Sequence, residues 1–120
     1  MAIIIPFTVV TRFSLVMLLL LCGTASAASF SCSRASSPDE KTICASQELS
    51  EKDVRMSTTY TMLQKLVLMG ARGAFQDEQT AWLQKRRQCS DNSICLSHMY
   101  DDRIDELNRQ YQHIVNSLDR

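Results

Sequence analysis

From Met56 to Leu118 the apolar side chains return every third or fourth residue, the repeat of an α-helix that buries one side. Met56, Tyr60, Leu63 and Val67 make one such series. Phe75, Gln79, Trp82, Arg86 and Cys89 make a second, which Leu83 widens. Leu96, Tyr100, Ile104, Leu107, Tyr111, Ile114 and Leu118 make a third, long for a small domain. Strand-like alternation is absent. The pattern predicts an all-α fold of three main helices, with short connections that make neighbours antiparallel.

Polar punctuation sets the predicted ends. Ser37-Pro38-Asp39-Glu40 combines an N-cap serine, a first-turn proline and an acid three residues on. It predicts a short N-terminal helix to about Ala45, with Ile43 as its apolar mark. A second start is read at Ser50, with Asp53 at the third helical position and Leu49 and Val54 as a hydrophobic staple. Gly70-Ala71-Arg72-Gly73 should close that helix through a left-handed cap and a turn. The third helix is then expected over about 74–88 and the fourth from Asn92 or Ser93.

Ahead of these helices lies a different kind of segment. Arg12 precedes the apolar run Phe13–Cys22, and Gly23 to Ala27 are small, with alanines at 25 and 27 as signal peptidase accepts. The run falls short of the roughly 20 residues a spanning helix needs. We therefore expect residues 1–27 to be a cleaved signal peptide and 28–120 a single domain, periplasmic or secreted, with no membrane span left after cleavage. Without Arg12 the charge is close to balanced, which excludes nucleic-acid binding by bulk electrostatics.

Cys22 departs with the leader, leaving Cys32, Cys44, Cys89 and Cys95. An even count in a short exported chain indicates two disulfides. Zinc and thioredoxin-like redox chemistry are disfavoured because no C-x-x-C occurs. Three pairings are open. Local pairing, Cys32–Cys44 and Cys89–Cys95, is favoured because each couple flanks a short segment that a bridge could brace. Its loops contribute roughly 3 and 2.5 kcal/mol, although loop entropy alone does not choose it over a crossed arrangement.

These features occur in an order that resembles the LprI-like family of small exported proteins, named after a lysozyme inhibitor. The resemblance is carried by Cys32, Glu40-Lys41-x-Ile43-Cys44, Leu49-Ser50-x-x-Asp53 and Tyr60. It continues through Gln79-x-x-Trp82-Leu83-x-x-Arg86-x-x-Cys89, Cys95-Leu96 and Tyr100-x-x-Arg103-Ile104-x-x-Leu107. It implies a disulfide-braced helical domain that binds a protein, with a lysozyme as the implied partner. An envelope accessory role toward another partner is the alternative.

Asp53, Tyr60, Gln79, Trp82, Arg86 and Tyr100 are expected to form a structural polar core. In it Arg86 would pair with Asp53 or stack on Trp82 or Tyr60. Catalysis and cofactors are not expected. His98 and His113 are some 22 Å apart along one helix, and no nucleophile has an evident base and orienting group. Candidate partner-binding residues are the acidic strip Asp101, Asp102, Asp105 and Glu106, and Arg72 on the glycine-flanked turn. The basic run Lys85-Arg86-Arg87 is expected to neutralise part of the strip. The apolar face beyond Leu107 would suit a homodimer.

Overall fold

A computed structural model describes residues 27–120; the leader reading at 1–27 falls almost wholly outside them. After a 3-10 turn at Cys32–Arg34 come four helices: α1 Pro38–Ala45, α2 Gln47–Leu66, α3 Met69–Gln88 and α4 Ser93–Leu118. No strand occurs among the described residues. None of the described helices is long and apolar enough to cross a membrane.

α1 starts where the Ser37-Pro38 pair predicts, with Asp39 and Glu40 in the first turn at the positive end of its dipole. The serine hydroxyl, however, donates to Glu40 Oε1 at 2.9 Å and caps no backbone N–H. α2 begins earlier than expected. Its N-cap is Ser46, whose Oγ accepts the Leu49 N–H at 3.2 Å, so one residue separates α1 from α2. Ser50 is freed from capping, and its hydroxyl donates to the Ile43 carbonyl at 2.7 Å. It thereby joins the Ser46 N–H, at 3.3 Å, as a second donor to that last-turn carbonyl of α1. The expected staple fails with it, because Leu49 is buried while Val54 faces solvent.

The reversal between α2 and α3 also differs from expectation. Val67 and Leu68 make the turn in extended backbone, with ψ of 132° and 148°. Gly70 and Gly73 lie inside the first turns of α3, and neither has positive φ. Two extended residues suffice to reverse the chain here, so no left-handed cap is required. The left-handed residue is Ser90 (φ 53°), in the turn between α3 and α4. α4 starts at Ser93 with Asn92 as its N-cap, its Oδ1 accepting the Cys95 N–H at 3.0 Å.

Both disulfides are local. Cys32–Cys44 ties the 3-10 turn to α1, and Cys89–Cys95 ties the end of α3 to the first turn of α4. Side-chain pairings fix the topology. Phe75 meets Tyr60, Gln79 meets Met56 and Arg86 meets Asp53, so α3 is antiparallel to α2. Trp82 meets Tyr100 and Gln79 meets Arg103, so α3 is antiparallel to α4 as well. α2 and α4 are therefore parallel neighbours. The core is Ile43, Leu49, Met56, Leu63, Phe75, Trp82, Leu96, Tyr100, Ile104 and Leu107. Beyond Leu107 the predicted face of α4 leaves the core: Ile114 still packs against it, while Tyr111 and Leu118 are exposed.

Candidate functional site

The buried polar groups of the bundle are arranged around two arginines. Arg86 reaches inward from α3 because it shares the Trp82 face. Its Nε donates to Asp39 Oδ2 at 3.0 Å, and its Nη1 donates to the Tyr100 hydroxyl at 3.4 Å. Asp53 Oδ1 stands 3.8 Å from the same Nη1. The guanidinium carbon lies 5.7 Å from the centroid of the Phe30 ring, which takes the stacking place expected for Trp82 or Tyr60. The expected Asp53 pairing is thus present, but Asp39 of α1 is the nearer partner.

Asp53 is saturated by neutral donors. Tyr100 donates its hydroxyl to Oδ1 at 2.8 Å, and Ser29 donates its N–H and its hydroxyl to Oδ2 at 2.7 and 2.6 Å. These bonds fix the charge states. Burial opposes ionisation of Asp39, but the Arg86 cation, by hydrogen bond and charge, together with donors in the first turn of α1, outweighs it and holds the carboxyl below its usual value. Burial, seconded by the Asp53 charge, pushes the Tyr100 phenol far above its usual value, so it remains a donor. Burial alone works against the Arg86 cation, yet Tyr100 and Asp39 more than compensate and raise its pKa.

The second arginine is Arg103, fully buried on α4. Its Nε and Nη2 both donate to Gln79 Oε1, at 3.1 and 2.9 Å. Its Nη1 donates to Glu78 Oε1 at 2.8 Å and to Glu106 Oε2 at 3.1 Å. Their mutual influence beside Arg103 pushes Glu106 up and holds Glu78 down, with Arg103 also lowering Glu78. Tyr60 stacks on Phe75 with centroids 4.9 Å apart, and burial raises its phenol. A cleft of about 420 Å³ opens over Ser29, Phe30, Asp53, Tyr60, Gln79 and Arg86. The bonds described above already occupy its main charged groups.

Asp39 and Arg103 were missed as core members. Asp39 has no role in the sequence reading beyond its place in the Ser37-Pro38-Asp39-Glu40 helix start. Arg103 carried a usable signal, since it falls on the face of Tyr100, Ile104 and Leu107.

The acidic strip is only partly free. Asp101 Oδ1 lies 2.7 Å from Lys52 Nζ, which also donates to Ser97 Oγ at 2.8 Å. Asp101 is the main cause of a raised Lys52 pKa. Glu106 is held by Arg103, while Asp102 and Asp105 are exposed. The expected neutralisation by Lys85, Arg86 and Arg87 is corrected: Arg86 points inward, Lys85 and Arg87 face solvent, and the balancing cations are Lys52 and Arg103. Arg72 sits on the first turn of α3, on no loop, half-buried, its Nε without an acceptor.

No group of three or more His, Cys, Asp or Glu among the described residues could hold a metal ion. His98 and His113 are both exposed. The sequence model described as lysozyme inhibitor LprI matches residues 32–107. The chain belongs to the LprI family. The LprI span encloses both disulfides, both buried arginines and every partner just described for the arginines except Phe30, while Ser29, which donates to Asp53, lies before it. It stops at the last core leucine of α4, so the final turns of that helix lie outside it. No curated protein and no solved structure matched the chain.

Proposed function

We propose that this LprI-family chain is an exported protein-binding domain that inhibits a lysozyme by occluding its glycan cleft. The observation that carries this reading is the family match across residues 32–107. The geometry is consistent with it. The ionised groups of the core are held by ion pairs and hydrogen bonds to neighbouring helices, which suits a rigid frame that presents its outside and performs no chemistry. Two disulfides fit an oxidising compartment, as the leader reading requires.

The test is a titration of the oxidised domain, beginning at Ala28, into a c-type lysozyme, read as the clearing rate of a peptidoglycan suspension. Stoichiometric loss of clearing is expected. No inhibition at micromolar excess would remove the lysozyme reading for that enzyme and leave the envelope accessory role, to be pursued by pull-down from envelope extract. A transition metal found in stoichiometric amount in the purified domain would overturn the non-catalytic reading.

A further inference from the structure

Resting on the lysozyme reading above, we propose that the reversal between α2 and α3 is the element that enters the enzyme's cleft. Leu68 and Met69 are its apolar anchors, and Arg72 is the cation that meets the cleft's carboxylates.

The tip is apolar where most connections are polar. Leu68 and Met69 are each 83% exposed, more than any other large hydrophobic side chain of the described residues, and Leu66 beside them is 46% exposed. Adjacent bare hydrophobic groups on a small domain mark a surface that a partner desolvates.

Charge on the tip has one sign. Met69 and Arg72 are three residues apart within α3, so they share a side of the helix. Arg72 Nε is shielded from water and has no acceptor, and neither Arg72 nor Lys65 forms an ion pair among the described residues. The first turn of α3 contains no acid, and Leu68 at its N-cap supplies no side-chain bond. A positive helix end, an arginine and two anchors are therefore presented together. Glycosidases of the lysozyme type flank the scissile bond with two carboxyl groups, so their clefts supply the complementary charge.

Shape agrees with charge. A Cβ added at Gly70 or at Gly73 would meet nothing within 4 Å, so packing does not demand glycine at either position. Their absent side chains keep the tip narrow and its backbone bare. The tip is also already ordered: Val67 N–H bonds to Leu63 and Ala71 N–H to Leu68, both at 2.9 Å, so little chain entropy is lost on docking. The rival surface, the acidic strip, has two of its four carboxylates engaged by Lys52 and Arg103.

The experiment measures inhibition of a c-type lysozyme by the wild type, Leu68→Asp, Arg72→Glu and the double variant Asp102→Asn/Asp105→Asn. Circular dichroism and sedimentation are run on each protein. The two tip variants should keep the wild-type helical signal and raise the inhibition constant at least about tenfold, the loss expected at an anchor. The acidic double variant should inhibit like the wild type. If the wild type inhibits and both tip variants match it, or the acidic variant alone loses inhibition, the tip proposal is overturned and the lysozyme reading stands. A wild type that does not inhibit removes both. A dimer that Leu68→Asp dissociates without changing inhibition would assign the tip to self-association and overturn the proposal.

Discussion

Tyr100 donates its hydroxyl to Asp53 at 2.8 Å although both residues are fully removed from solvent. The same Asp53 oxygen lies 3.8 Å from Arg86, which binds Asp39 at 3.0 Å. One cation thus serves two carboxylates from different helices, and Ser29 and Tyr100 supply the hydrogen bonds that the second carboxylate would otherwise lack. α1, α2, α3 and α4 all contribute to this cluster. Its loss should be felt by the whole domain.

Asp39→Ala removes the nearer partner of a buried guanidinium. We expect a loss of about 3–5 kcal/mol, the usual result of stripping one member from a buried pair. In a domain of this size each kcal/mol shifts Tm by roughly 4–8 °C, so the melting curve should fall by well over 10 °C. Asp53→Ala should also destabilise strongly, because Ser29 and Tyr100 lose their acceptor. A shift below one degree for either variant would show that the cluster carries no structural weight.

Acid sensitivity follows from the Asp39 carboxyl, whose folded pKa is lower than its unfolded value. Between those two values the unfolded chain binds the extra proton, so stability rises with pH there. The contribution is complete above the ordinary aspartate value of about 4 and is lost as pH falls through the folded value. Glu106, pushed up, acts in the opposite sense to Glu78, held down. Urea midpoints from pH 7 to 2.5 should drop on the acid side in the wild type. The drop should be shallower in Asp39→Asn, which has less stability to lose.

These two residues also show where the sequence stopped being readable. Arg86 was legible as an inward cation because it steps from Trp82 at helical spacing. Asp39 was not, since an acid in a first turn satisfies the helix dipole whether or not it is buried. The start of α2 was displaced by four residues because Ser46 and Ser50 both make acceptable caps. What decides between them is the end of α1, where the Ser46 N–H and the Ser50 hydroxyl both donate to the Ile43 carbonyl of that helix. The glycine pair misled for a similar reason: it is the usual signal of a left-handed stop, but a turn through Val67 and Leu68 needs none. The helical faces and disulfide partners were readable because they depend on spacing along one chain.

The disulfides should act separately. Replacing Cys89 and Cys95 together by alanine should cost roughly 2–3 kcal/mol, and replacing Cys32 and Cys44 about 3 kcal/mol, on chain-entropy grounds. Both variants should remain helical at low temperature, since each bridge spans a junction and no core contact depends on it alone. Circular dichroism melts check this; complete unfolding at 10 °C in either variant would contradict it.

Gly73→Ala should stabilise the domain by about 0.5–1 kcal/mol. The position is helical, φ is not positive and the added methyl meets open space. Gly70→Ala, closer to the helix end, should gain less. Urea denaturation of the two variants is sufficient, and a lowered midpoint would indicate that the first turn of α3 is not helical in solution.

The parallel alignment of α2 and α4 gives the molecule two unlike poles. One holds α1 and the stapled turn around Ser90, and the other holds Leu68, Met69 and the carboxyl terminus. With Asp53 level with Tyr100, α4 outruns α2 by about five residues, or roughly 8 Å of helix. Anything tethered at Arg120, whether a resin, a fluorophore or a fused domain, therefore stands over the pole that carries the bare leucine and methionine. Immobilisation through Lys85 or Arg87 would leave that pole open.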